Sequence, residues 1–214
     1  MKKIPLLCLF SAVLWGCAPI PPVEDLKSKP AQETQTPAAS EPLISADWPL
    51  AGAEKRVTKK PFGLKVSPAD SPVQPEKFSG YHTGVDYETF ADEKDTDVFV
   101  SAVCEGTILQ KRKAQGYGGV VVQSCQFGDQ PVTVVYGHLQ LSSITLTIGE
   151  SLKAGERFAT LGRGFSTDTG GERKHLHLGI KKGAVANLLG YVQKESTLQG
   201  WMDFEHIRKT ASPQ

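Results

Sequence analysis

The chain has no His-Glu-x-x-His segment, which removes the zinc hydrolases that carry two ligands and a base on one helix. It has no internal repeat of solenoid period, so it is not a stack of equal units. The apolar run Ile4 to Trp15 is shorter than the ~20 residues a mature membrane-spanning helix needs. Charge of one sign is also missing: 24 Lys+Arg face 23 Asp+Glu. Removing residues 1–16 would take away Lys2 and Lys3 and no acid, turning a formal charge of +1 into −1. That balance excludes nucleic acid as a partner, because such binding needs concentrated basic charge.

Cysteine is scarce, with four in 214 residues. Cys8 lies in the apolar run that follows Lys2-Lys3, a charged-then-hydrophobic layout that marks residues 1–16 as a secretory signal. The run ends in Leu14-Trp15-Gly16-Cys17, which resembles the lipobox of bacterial lipoproteins, so Cys17 is the expected lipidation site. Export and lipid anchoring to the cell envelope follow as expectations. With Ala18 behind the cysteine, the destination is an outer membrane, facing the periplasm, if the host is Gram-negative. Residues 17–47 lack aromatics and scatter Pro19, Pro21, Pro22, Pro30, Pro37 and Pro42 among small polar residues, a composition that reads as a disordered tether. The remaining cysteines, Cys104 and Cys125, fall in strand-like segments joined by the Gly116-Tyr-Gly-Gly119 punctuation of a hairpin. If they face each other, an oxidising compartment closes a disulfide worth ~3 kcal/mol.

A single domain is expected over 48–214, with 39% hydrophobic residues to build its core. Segment 61–90 is rich in turn residues and reads as loop and short strands. From Val98 onward the pattern predicts a mainly β, mostly antiparallel fold, with strands over Val98 to Leu109, Gly119 to Cys125, Val132 to Leu139, Arg157 to Leu161 and His175 to Ile180. Only Leu198 to Lys209 reads as a short C-terminal helix.

Four of the five histidines lie in three Gly-flanked motifs: His82-Thr-Gly-Val-Asp86, Tyr136-Gly-His138-Leu and His175-Leu-His177-Leu-Gly179. One carboxylate and four imidazoles suffice for a three-ligand zinc site with two rings left for proton transfer. Strict alternation over 175–180 places His175 and His177 on one strand face, roughly 6.6 Å apart, and Leu176, Leu178 and Ile180 on the other. Either histidine of that pair could be the ligand. His82 and Asp86 would stand ~13 Å apart in a straight strand, too far for one ion, so a bend at Gly84 is expected. His138 ends a buried-looking strand and gains its weight from the other motifs. His206 matches no motif and reads as an ordinary surface or packing residue; Tyr81 and Tyr117, beside Gly-rich loops, could line a groove or simply pack.

In this order the three motifs resemble those of the lysostaphin-type, or LytM, zinc metallopeptidases, which cut peptide bonds in bacterial peptidoglycan. The frame over about 61–181 matches too: Pro61-Phe-Gly63, Ala102-Val-Cys-Glu-Gly106, Gly118, Gly149 and Gly155 around Leu152-Lys153, and Leu161-Gly-Arg-Gly164 leading to His175. The resemblance implies twisted antiparallel sheets forming a groove with the metal site at its base. It also implies one zinc ion on His82, Asp86 and His177, and a peptidoglycan peptide as substrate. His138 and His175 become the histidines that activate water and stabilise the oxyanion. A non-catalytic member that binds wall peptides or activates another hydrolase is the alternative, and no regulatory protein partner is identifiable. Two stretches depart from the pattern: Tyr87 to Asp97 is acidic and long, and Thr167 to Lys174 is longer and more charged than the Ser/Thr-Gly-Pro approach of relatives.

Overall fold

Residues 46–210 are described by a computed structural model; the expected signal 1–16, Cys17 and the tether up to residue 45 lie outside the described residues. The chain is already packed at Ala46, which is 7% exposed, and the Asp47 N–H donates to Val103 O. Twelve strands follow. They are β1 (Lys65–Val66), β2 (Gly80–His82), β3 (Gly84–Glu88), β4 (Phe99–Ser101), β5 (Gly106–Ala114), β6 (Gly118–Phe127), β7 (Gln130–Gly137), β8 (Ser151–Leu152), β9 (Arg157–Thr160), β10 (His175–Lys182), β11 (Tyr191–Val192) and β12 (Trp201–Met202). One helix, α1 (Phe204–Thr210), closes the described chain. The fold is therefore mainly β with a short C-terminal helix, and among the described residues every strand pairing is antiparallel.

The principal sheet runs β12-β10-β7-β6-β5-β8, with β3 on β10 as well. β7 takes one edge of β10, while β3 and β12 share the other, β3 along His175–Gly179 and β12 along Ile180–Lys181. This places β10 in the middle of the sheet and explains why its residues from His175 to Ile180 are buried on both faces. Alternation still assigns the faces: Leu176, Leu178 and Ile180 join the main core with Val121, Val134, Tyr136 and Phe204. On β6 the same period sends Val121 and Cys125 to that core and Val120 and Val122 to a smaller cluster with Tyr117 and Val135.

Two expected elements differ. The strand expected over Val98 to Leu109 is two strands, β4 and β5, because Ala102 to Glu105 leaves the sheet. There the Ala102 N–H donates to Glu156 O and the Val103 N–H to the Tyr136 hydroxyl, so neither joins a ladder. The helix expected over Leu198 to Lys209 begins only at Phe204. Glu195–Gly200 is a 3₁₀ turn, and Trp201–Met202 is drawn into pairing with Ile180 and Lys181 of β10.

Cys104, in the segment just before β5, and Cys125 of β6 are joined by a disulfide, with 6.1 Å between Cα atoms and 21 residues of sequence separation. A loop of that length constrains the unfolded chain by about 3 kcal/mol. Replacing both cysteines by serine is expected to lower the unfolding free energy by at least that much in denaturant titrations; an unchanged midpoint would contradict the assignment.

Candidate metal centre

His82 ends β2 and Asp86 sits in the middle of β3, strands that belong to different sheets. The chain passes between them at Thr83, whose N–H and hydroxyl donate to Gly190 O and Leu189 O. The step between sheets brings His82 Nε2 to 3.2 Å from Asp86 Oδ1. The bend is not at Gly84, as expected; the chain instead changes sheets at Thr83, and Gly84, whose φ is not positive, allows a close approach. A Cβ there would stand 2.5 Å from Leu178 O and 2.7 Å from the His177 ring.

Register supplies the third member. His177 of β10 lies opposite Asp86 of β3, and its Nδ1 is 3.1 Å from Asp86 Oδ1 and 3.0 Å from His82 Nε2. Three donor atoms therefore form a nearly equilateral triangle with edges of 3.0–3.2 Å. A tetrahedral ion with bonds of about 2.0–2.1 Å has edges of about 3.3 Å, so these three residues fit zinc closely. Among the described residues they form a group able to hold a metal ion.

Outer hydrogen bonds decide which nitrogen each ring presents. A carbonyl oxygen only accepts, so a ring nitrogen facing one must carry the hydrogen. His82 Nδ1 donates to Pro61 O at 3.2 Å, leaving the Nε2 lone pair for the triangle. His138 Nδ1 donates to Thr169 O and His175 Nδ1 to Arg173 O, each at 2.9 Å. Those two rings lie 4.2 Å apart and turn their Nε2 atoms away from the backbone; His175 Nε2 is 3.3 Å from Asp86 Oδ2. His177 is reversed, presenting Nδ1 and leaving Nε2 buried without a partner among the described residues. His138 follows β7 in the left-handed region, at φ 64°, a conformation costly for a non-glycine residue and often retained where a side chain must be aimed.

All of these groups except His82 border a cavity of about 360 Å³, whose remaining wall includes Phe78, Tyr117, Arg173, Leu188 and Tyr191. Tyr117 packs its ring against both His138 and His177. Tyr81 does not reach the cavity: it precedes His82 on β2, so alternation turns it the other way, beneath Lys65. His206 is exposed on α1, far in role from the four motif histidines. The sequence reading missed Arg173, whose Nη2 is 3.0 Å from Asp86 Oδ2, and the buried Lys60–Glu76 pair behind Tyr191. The only signal was the unusual charge of the stretch Thr167 to Lys174.

Burial dominates the electrostatics. It would raise the Asp86 carboxyl, but the neighbouring His175, His82 and His177 outweigh it and hold Asp86 well below the usual carboxylate range. Burial also pushes His138 well below its ordinary value, aided by His175, and His177 down to about 4. Without metal, the unfolded chain protonates His177 near its ordinary 6.5, whereas the folded chain resists until about 4. Its contribution is therefore fully present above pH 6.5 and lost as pH falls through that window, by up to about 3 kcal/mol. Chelator-treated protein is expected to show a lower urea midpoint at pH 5.0 than at 7.5, and His177→Gln is expected to flatten that slope. Parallel profiles for the two proteins would refute the assignment.

A family model described as Peptidase family M23 matches residues 80–188, just over half of the chain. No curated relative matches. Among solved structures, cbpa from L. salivarius REN is similar at 20% identity, covering 78% of this chain and 96% of its own, with a TM-score of 0.51. LytU is similar at 21% identity over 71% of this chain and 90% of its own, with a TM-score of 0.45. Helicobacter pylori Csd3 is similar at 21% identity over 72% of this chain, with a TM-score of 0.43, and the present chain spans only 37% of its length. At these identities the likeness to cbpa is one of fold.

Proposed function

Since the chain belongs to peptidase family M23, we propose that it is a zinc-dependent endopeptidase that hydrolyses peptide bonds in peptidoglycan stems or cross-links, acting from a lipid anchor on Cys17. The observation that carries this reading is a triangle of three metal-donor atoms, two of whose residues, Asp86 and His177, line the cavity together with His138 and His175. When bound, zinc would supply Lewis acidity to the scissile carbonyl and to the attacking water.

The chain's own groups then handle protons and position. With Nδ1–H committed to backbone carbonyls, His138 and His175 each have Nε2 left for the cavity. His175 is the proton carrier in this reading, because it borders the cavity and its Nε2 lies 3.3 Å from Asp86 Oδ2, the carboxylate oxygen outside the triangle. It accepts one proton as the water oxygen bonds to the carbonyl carbon. It returns that proton to the leaving nitrogen as the C–N bond breaks, giving a carboxylic acid and an amine. His138, kept neutral by burial, accepts a hydrogen from the same water and so orients its lone pair. Only a ring that has taken a proton has an Nε2–H to offer the oxyanion. Phe78, Leu188, Tyr117 and Tyr191 supply apolar and aromatic surface to the cavity wall beside these groups.

Purified protein incubated with isolated sacculi, followed by identification of new peptide termini and measurement of bound metal, tests the reading. About one zinc per chain and new amino and carboxyl termini are expected. Bound zinc without new termini would instead favour a wall-binding or hydrolase-activating member. Anchoring is tested separately: a fatty-acid label should follow the wild type and be lost in Cys17→Ser.

A further inference from the structure

We propose that Arg173 is a positioning residue for the metal centre, holding Asp86 so that a single carboxylate oxygen faces the ion. The inference rests on reading His82, Asp86 and His177 as zinc ligands. The two oxygens of Asp86 have different surroundings. Oδ1 lies 3.2 Å from His82 Nε2 and 3.1 Å from His177 Nδ1, inside the triangle. Oδ2 accepts from Arg173 Nη2 at 3.0 Å and lies 3.3 Å from His175 Nε2, outside it.

Arg173 is itself anchored. Its Nε lies 3.0 Å from both Glu88 oxygens, and its Nη2 also reaches Glu88 Oε1. Glu88 stands two residues beyond Asp86 on β3, opposite His175 in the register, so ligand and counter-charge share one strand while Arg173 lies two residues before its partner strand β10. The side chains of Arg173, Asp86 and Glu88 are 13%, 3% and 12% exposed, so solvent screens this network only weakly. The backbone of the same residue orients a second group, because Arg173 O accepts from His175 Nδ1 at 2.9 Å. One residue thus aims a metal ligand with its side chain and a proton carrier with its carbonyl.

A competing effect points the other way. A guanidinium beside a ligand carboxylate repels a cation, so Arg173 on its own would weaken metal binding. Glu88, which also lies 3.5 Å from Lys59 Nζ, offsets that repulsion by pairing with the same guanidinium, so that orientation outweighs it. Partners of this kind behind metal ligands typically change affinity by about 10–100-fold.

The test is zinc affinity of the folded full-length protein by competitive chelator titration, together with the visible spectrum of the cobalt(II)-loaded form. That spectrum reports coordination number independently of activity. Arg173→Met is expected to bind zinc at least about tenfold more weakly, with a cobalt spectrum altered as the freed Oδ2 joins the coordination. Arg173→Lys, which keeps the charge without the fork, should lose less, and Glu88→Gln, which frees and uncompensates the guanidinium, should also weaken binding. Arg173→Met with wild-type affinity or tighter, and an unchanged cobalt spectrum, would overturn the inference alone. A wild type that binds no zinc would instead remove the ligand reading beneath it.

Discussion

A His175→Ala protein is expected to keep its zinc while cleaving peptidoglycan peptides about 10²–10⁴-fold more slowly, the usual range for loss of a positioned proton carrier. His175 Nε2 approaches Asp86 through Oδ2, the oxygen outside the triangle, so deleting the ring leaves all three donor atoms in place. The strand should hold as well, because Leu176 and Leu178 on its other face are each at most 1% exposed in the main core. The loss is expected in kcat more than in KM, since a proton carrier acts in the transition state rather than in binding the substrate. Metal analysis on the same preparation is decisive. Zinc lost in step with activity would make His175 a structural support of the site, and unchanged hydrolysis would move the proton transfer to His138.

His177→Ala is expected to fail in the opposite order, losing zinc first and activity as a consequence. Removing its Nδ1 leaves two donors, His82 Nε2 and Asp86 Oδ1, and a tetrahedral ion held by two protein atoms is retained poorly against dialysis. A metal present at a thousand times its dissociation constant contributes about 4 kcal/mol to folded-state stability. That contribution should vanish, so added zinc should raise the thermal midpoint of the wild type and leave that of His177→Ala unmoved. A chelator should bring the wild type to the same state, with hydrolysis restored on adding zinc back. Full activity of His177→Ala, or of chelated wild type, would exclude a metal at this triangle. Together the two variants separate proton transfer from metal retention, which a single inactive mutant cannot do.

How much of this was legible in the sequence depends on the range of the interactions. The alternation of His175-Leu-His177-Leu-Gly-Ile180 is a local property of an extended chain, and the structure keeps its two faces as written. The hairpin of β5 and β6 was legible for the same reason, through the glycines at 116 and 118 that adopt positive φ in its turn. The departure of Ala102 to Glu105 from the sheet was not, because it depends on acceptors at Glu156 and Tyr136, far along the chain. Nor was the work of Gly84, which makes room for a ring on another strand.

Residue types and short spacings alone determined that one aspartate and four histidines would be available, and that the fold would be mainly antiparallel β. They left His175 and His177 equivalent, since period two treats both alike. Tertiary structure distinguishes them by register, setting His177 opposite Asp86 and His175 opposite Glu88. It also decided which nitrogen each ring presents, because the acceptors that claim Nδ1 of His82 and His138 come from Pro61 and Thr169, 21 and 31 residues away. Arg173 entered the site the same way, across 87 residues to Asp86. A side chain's chemistry is written locally, but the atom it offers is fixed by whatever the folded chain places behind it.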